Sequence, residues 1–293
     1  MEFIQKRGRS FVPARDGLSR AQTAVFRDLT EQVARGEYEE AEVRAQALAD
    51  RPRRPWDRSR HHLPVWLART IALTAAVLHG RRGHVLPELD ALTRELRDTS
   101  GSDRTVLLVL RVNRAVVLLG EKQYGKAEAE ASDILREVSR LARLAQVADL
   151  ELSALAGLAE ALCGQGRFEE AETVARGNLP RATGNREASF RYLLVCSLNG
   201  QGRYEEALTE ARRPTPPASR AGSGRPAMAT ATALHALGHR EEAEVTARQA
   251  LSACEQFLHS DHPRIREARD LLSRITAGEP PRDTSDAGPR PQL

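Results

Sequence analysis

Pairs of adjacent glutamates recur along this chain of 293 residues and are its first candidates for chemistry, because two nearby carboxylates can act as a general acid and a general base. The pairs are Glu39-Glu40, Glu169-Glu170, Glu205-Glu206 and Glu241-Glu242, and an alanine follows each of them directly. Catalysis needs one such pair rather than four, whereas the helix dipole favours acidic residues in any first helical turn. We therefore interpret the pairs as helix starts.

Two further patterns could suggest a ligand site. Gly164-Gln165-Gly166 and Gly200-Gln201-Gly202 resemble a phosphate loop, but neither follows a strand pattern, and no Gly-Lys-Ser or Gly-Lys-Thr comes after them. His235 and His239 could share a helix face, yet Gly238 stands between them at a predicted turn, and the sequence offers no third zinc ligand. The sequence therefore predicts a non-enzyme with no catalytic residue, metal or cofactor.

The cysteines predict a reducing compartment. Cys163, Cys196 and Cys254 are odd in number, far apart and set on apolar helix faces, without the neighbouring His or Cys of a catalytic or metal site. No apolar run approaches the roughly 18 residues of a membrane span, and the N-terminal residues lack the apolar core of a secretory signal. We expect a cytoplasmic protein without a membrane segment.

A basic stretch at 51–62 is the remaining candidate for binding chemistry. It combines five arginines, a tryptophan and two histidines with prolines, and such a composition can contact phosphates or an acidic partner. The net charge is only +4, and arginine far outnumbers lysine, as GC-rich genomes commonly encode. We favour a solvated connection between two helical units, and we keep a nucleic-acid or acidic-partner contact as the alternative function. Its candidate residues are Arg53, Arg54, Trp56 and Arg58.

An internal repeat organises the chain. The octapeptide Gly-Gln-Gly-Arg-Phe-Glu-Glu-Ala at 164–171 returns at 200–207 with a single change, Phe to Tyr. Related segments end in a marker alanine that occurs five times, at Ala41, Ala127, Ala171, Ala207 and Ala243, and residues 83–88 are a degenerate copy. Similarity at this spacing is typical of solenoids, whose units bury their apolar faces against neighbours.

Apolar residues at helical spacing flank each marker, so every unit is predicted to be helix, turn, helix. The glycine allows the bend, the glutamates begin the second helix, the alanine allows close packing, and the aromatic residue three positions earlier packs across the junction. The predicted helices cover 21–35, 38–50, 64–79, 85–97, 104–119, 122–142, 145–163, 167–178, 185–199, 203–213, 226–237, 239–258 and 263–275.

The motif resembles the tetratricopeptide repeat (TPR), whose second helix opens Gly-x-Tyr-x-x-Ala and carries another small residue four positions on. That residue is present in all five copies, at Ala45, Ala131, Ala175, Ala211 and Ala247. The long spacings and the segment 260–263 are similar to repeats of the kinesin light chain type. The resemblance covers residues 25–275, and the composition suits a TPR protein of the type common in high-GC bacteria.

The resemblance implies an all-α, right-handed superhelical solenoid of stacked helix-turn-helix repeats. Its function would be that of a non-catalytic scaffold or adaptor that binds a peptide or protein segment in its concave groove. The groove would be lined chiefly by the first helix of each unit, and its candidate residues are Asn113, Arg111, Arg191, Tyr192 and Asn199. Asn113 lies where related repeats place a peptide-clamping asparagine. The alternative for Asn113 is an exposed polar residue on an otherwise apolar helix.

The expected organisation is a flexible leader at 1–19, a repeat domain at 20–275 with about six helix pairs, and a disordered tail at 276–293. Loops interrupt the repeats at 51–63 and 214–225, where prolines and glycines forbid regular helix. The second interruption could be a hinge or a partner contact, and we favour a decayed repeat. Asp261 is expected to cap the last helix, with Pro263 near its first position.

Overall fold

A computed structural model describes residues 18–51, 63–80, 85–97, 102–141, 147–216 and 220–279. Within these ranges the structure contains α-helices and two short 3-10 turns but no strand, which confirms the predicted all-α class. The end of every predicted helix lies within two residues of an observed end. The helices are α1 (Arg20–Arg35), α2 (Tyr38–Ala49), α3 (Leu63–His79), α4 (Val85–Glu95), α5 (Ser102–Gly120), α6 (Tyr124–Arg140), α7 (Val147–Gly164), α8 (Phe168–Asn178), α9 (Asn185–Gly200), α10 (Tyr204–Ala211), α11 (Arg225–Ala236), α12 (Arg240–Phe257) and α13 (Pro263–Ala277).

The elbow between two helices has the same backbone in all five marked copies. Its first residue is left-handed, with φ between 59° and 79°, and the next has φ near −85° and ψ near 60°. The amide of that second residue donates to a carbonyl five positions back, as Arg167 does to Leu162 at 2.9 Å. This is the Schellman ending of a helix, and it closes the first helix while the next one begins. The left-handed residues are Gly36, Lys122, Gly166, Gly202 and Gly238.

The aromatic residue of the motif contacts the next unit. A Cβ added to Gly164 would lie 2.3 Å from Cε1 of Tyr124, and one added to Gly200 would lie 2.2 Å from Cδ1 of Phe168. These two glycines are needed because a ring from the preceding unit occupies the space of their side chain. The sequence predicts that this aromatic ring packs across the junction between two helices. In the structure the ring also joins successive units.

The helices pack in two rows. Each helix packs against its neighbours in sequence, and the odd-numbered helices α1 to α13, here called the odd row, also contact one another in order. The marker alanines are almost completely buried between the helices, with Ala127 only 1% exposed and the others 0%. Alanine is required there because a longer side chain would separate helices that the elbow holds together.

The apolar core is a series of clusters between neighbouring helices. One large cluster joins α3, α4 and α5 through Leu67, Leu89 and Leu110, and another surrounds Phe190 and Leu194 of α9. Each unit therefore buries its apolar face against the units beside it, as expected of a helical repeat.

The last helix begins differently from the prediction. Its cap is His262, whose Nδ1 accepts a hydrogen bond from the amide of Arg264 at 3.1 Å. Asp261, predicted to cap this helix, lies one residue too early and is exposed, whereas Pro263 takes the first helical position as expected.

The segment 214–225 does shorten its unit, because α10 has only 8 residues. A 3-10 turn at Arg220–Gly222 follows, and α11 begins at Arg225. Residues 217–219 lie outside the described residues, as do 1–17, 52–62 and 280–293. The predicted leader, tail and domain limits therefore stay predictions.

Lys122 offers a test of the elbow, because it is a side-chain-bearing residue at the left-handed position. We expect Lys122→Gly to raise the free energy of unfolding by about 0.5–1 kcal/mol, since glycine relieves the left-handed strain but adds freedom to the unfolded chain. Lys122→Ala is the matched control. It removes the exposed contact of Lys122 with Glu267, at 3.7 Å, but keeps the Cβ and should give no gain. Urea unfolding followed by circular dichroism measures the free energy of unfolding of both variants. An equal effect of the two substitutions would show that the left-handed backbone of Lys122 is not strained.

Candidate functional site

The predicted groove asparagines are buried and bridge helices of the odd row. Asn113 of α5 is 6% exposed, and its Nδ2 donates to Oγ1 of Thr74 on α3 at 2.7 Å. Asn199 of α9 is also buried and donates to the carbonyl oxygen of Ala229 on α11 at 2.8 Å. The alternative prediction of an exposed Asn113 is wrong, because the apolar helices on both sides cover it. Its peptide-clamping role stays a prediction.

The predicted groove arginines lie in carboxylate networks between helices. Nε of Arg111 donates to Glu130 of α6 at 2.6 Å, and its Nη2 lies 3.2 Å from Asp133. Arg191 of α9 lies 3.2 Å from Glu187 and 3.4 Å from Glu210 of α10. Both side chains are largely buried, so an acidic ligand would have to compete with these carboxylates.

Tyr192 lines a cavity whose described walls include none of the other four predicted groove residues. This cavity has a volume of about 440 Å³, within the range of small-molecule sites. Its walls come from the odd row, α5, α7, α9, α11 and α13, with Lys122, Tyr124 and Phe168 from the elbow regions. The structure therefore brings together residues that are as far apart in the sequence as Leu119 and Arg274.

An ion pair spans the wall of this cavity. Arg225 at the start of α11 donates both Nη atoms to Glu160 of α7, with Nη1 at 3.0 Å from Oε2. The ring of Tyr192 lies 5.1 Å from the guanidinium carbon of Arg225, which is a cation–π distance. Burial alone would lower the pKa of Arg225, but Glu160 and Tyr192 raise it above its ordinary value. Arg225 is therefore held in place as a permanent cation.

A second arginine stands beside the pair. Arg264 of α13 is 9% exposed, lines the same cavity, and donates from Nη1 to the carbonyl oxygen of Ser223 at 3.1 Å. Burial, together with the charge of Arg225, lowers the pKa of Arg264 to about 10. Both arginines are thus charged at neutral pH in a partly desolvated space.

The sequence reasoning missed Glu160, Arg225 and Arg264. Glu160 interrupts the apolar run of α7 between Ala159 and Ala161, and a lone carboxylate there was the available signal. Arg225 and Arg264 each stand at a helix start next to a proline, where nothing distinguishes them from the many other arginines.

Two cysteines lie in the cavity wall. Burial raises the pKa of the Cys163 thiol well above its ordinary value, and that of Cys196 to about 11. Both are therefore protonated and poor nucleophiles at neutral pH. In the described part of the chain, no group of three His, Cys, Asp or Glu side chains could hold a metal ion.

The last helices also contact the early elbows. The ring of His259 packs edge-on against that of His79 with the centroids 5.5 Å apart. The imidazole of His262 covers Gly80, where an added Cβ would lie 2.2 Å from Cδ2. The residues at the start of α13 therefore contact the end of α3. The basic-loop candidates Arg53, Arg54, Trp56 and Arg58 lie outside the described residues, so the alternative function stays a prediction.

The raised thiol pKa values predict slow alkylation. At pH 8 we expect iodoacetamide to modify Cys196 at least about 100-fold more slowly in the folded protein than in urea, since two pKa units reduce the thiolate fraction a hundredfold. The rate should rise with pH up to about 11, and mass spectrometry of the labelled peptide measures it. A folded-state rate that levels off near pH 9 would show that the thiol pKa is not raised.

The ion pair predicts non-additive mutations. We expect Glu160→Met and Arg225→Met each to cost about 2 kcal/mol of unfolding free energy, because each leaves a partly buried charge unpaired. The side chains keep 26% and 31% of their exposure, which limits the cost. The double variant should cost about as much as one single variant in urea unfolding. Additive losses would mean that the pair contributes no coupling.

Comparisons with models of protein families, with curated proteins and with solved structures found no match. Among the described residues, no helix is long and apolar enough to cross a bilayer.

Proposed function

We propose that this chain is a non-catalytic, TPR-type scaffold of the cytoplasm that binds a peptide or protein segment along the odd row. The observation that carries the proposal is the cavity that touches five successive members of that row. A surface made from one helix of every unit is what stacked repeats provide for binding.

The TPR assignment is supported by the elbows. Five elbows share one backbone conformation. In two places, an aromatic ring of one unit occupies the space where a side chain would lie at a glycine of the next unit. Repetition of one elbow supports a similar arrangement of helices in each unit, as in the right-handed superhelix that we propose. The contacts of His259 and His262 with the elbow after α3 are consistent with a stack that curves back on itself.

The ligand contacts that we propose are Tyr192, Leu193 and Met228, because these side chains line the cavity. Asn113 and Asn199 have a positioning role in this proposal, since their amides already bridge the helices that carry the surface. Arg111 and Arg191 remain candidates for an acidic segment that displaces their carboxylate partners.

The proposal is tested by site-directed photo-crosslinking. A photoreactive amino acid at Met228 should capture a discrete partner from native lysate, identified with its crosslinked peptide by mass spectrometry. Val43 of α2 and Val245 of α12 are matched controls, because they are 62% and 52% exposed on even-numbered helices. The captured partner should be at least about tenfold less abundant at these controls. Equal capture at all three positions, or none at Met228, would overturn binding along the odd row.

A further inference from the structure

We propose that the contact between the last helices and the first three elbows is a releasable clasp, which closes the stack over the cavity and opens to admit a ligand to the odd row. The clasp consists of the side chains of Arg220, His259, His262 and Glu267 and the elbow residues that they contact. The identity of the ligand, a peptide or protein segment, rests on the proposed function. The opening of the clasp requires no partner.

The clasp covers the left-handed glycines of the first two units. A Cβ added to Gly36 would lie 2.2 Å from Cδ of Arg220, whose Nη1 also donates to the carbonyl oxygen of Gly36 at 3.4 Å. The imidazole of His262 covers Gly80 in the same way. These contacts join residues that are more than 180 positions apart, so they close the chain of units on itself.

The later elbows are open at the equivalent place. A Cβ added to Gly166, Gly202 or Gly238 would meet no other described atom within 4 Å. Gly36 and Gly238 have the same φ of 79°, so the elbow conformation does not by itself require a cover. The covering of Gly36 and Gly80 is therefore a docking contact added to the repeat.

This docking contact consists of polar and aromatic groups. The guanidinium carbon of Arg220 lies 5.6 Å from the ring centroid of Phe257, and the ring of His259 packs against that of His79. None of the apolar clusters among the described residues joins side chains of α1–α3 to those of α12 or α13. A contact with no shared apolar core opens at a lower free energy than the packed helices on either side of it.

The clasp lies at the edge of the cavity. Part of the cavity wall comes from Leu119, Lys122 and Tyr124 around the elbow of the third unit, and another part comes from α13 and its cap His262. Across these two parts, Lys122 lies 3.7 Å from Glu267, with the side chains 67% and 48% exposed, and such an exposed pair contributes little stability. Movement of α13 away from the first elbows would therefore remove one wall and widen the entrance to the odd row.

The test begins with a reversible lock, His79→Cys combined with His259→Cys. The amide of His259 donates to the carbonyl oxygen of His79 at 3.4 Å, which brings the two positions within reach of a disulfide. The probe is a bulky dye-linked maleimide that reacts with Cys163 and Cys196 of the cavity wall, followed by mass spectrometry of each peptide. In the oxidised variant we expect both thiols to react at least about tenfold more slowly than in the unmodified protein, because the open form is no longer populated.

A release variant should have the opposite effect. Arg220→Ala removes an exposed side chain of the clasp and should raise the reaction rates of the two cavity cysteines about threefold or more, since the open form becomes more populated. Arg248→Ala is the matched control, because Arg248 is 61% exposed on α12 and pairs with Glu244 outside the clasp. It should leave both rates unchanged.

Cys254 distinguishes the clasp from global unfolding. It is packed with Leu258 and Ile265 in a cluster of the last helices, which opening of the clasp leaves intact. A change by the same factor at Cys254 and at the two cavity cysteines would therefore overturn the clasp. Equal rates in the oxidised variant and the unmodified protein would overturn it as well.

Partner capture separates the clasp from the proposed function. With the photoreactive residue at Met228, the oxidised variant should capture at least about tenfold less partner than the unmodified protein from lysate prepared without reductant, because only the open fraction binds. Equal capture by the two forms would contradict gating by the clasp. No capture by either form would contradict the scaffold function instead, and the maleimide rates would still decide whether the clasp controls the cavity.

Discussion

A residue with positive φ lies at each of the five marked elbows, and the two helices that the elbow joins must pack closely against each other. The left-handed turn closes one helix with a Schellman pair of hydrogen bonds and starts the next within two residues. With so little chain between them, the helices can only lie side by side, and only alanine fits between them at positions such as Ala171. The aromatic contacts with Gly164 and Gly200 then transmit this geometry from one unit to the next.

The cavity exists because the units differ inside this shared frame. The positions that recur from unit to unit build the stack. Glu160, Arg225 and Arg264 line the cavity and are not among these repeated positions. Partly buried charges cost free energy unless they are paired, and the pair with Glu160 offsets the charge of Arg225. The chain therefore brings two partly buried arginines together where α11 and α13 begin.

The positions of the helices could be predicted closely because their signals are local. Apolar spacing, a glycine at the bend and acidic residues after it act within one unit, and neighbouring units repeat them. The sequence predicts Asp261 as the cap of α13, but its neighbour His262 takes that position. A histidine nitrogen can accept the same hydrogen bond as a carboxylate. Asn113 was predicted to be either a peptide clamp or an exposed polar residue, and its burial could not be predicted because its partner Thr74 is 39 positions away.

Local patterns specify the helix-turn-helix units, their order and the residues that let them pack, because each of these depends on contacts within a few residues of the chain. Which charged residues meet depends instead on how distant helices come together in the fold. The Glu160–Arg225 pair joins residues 65 positions apart, and Arg264 comes beside it because α13 packs against α11. Because the chain has so many arginines, residue type alone does not single out Arg225 and Arg264, whereas their positions in the fold do.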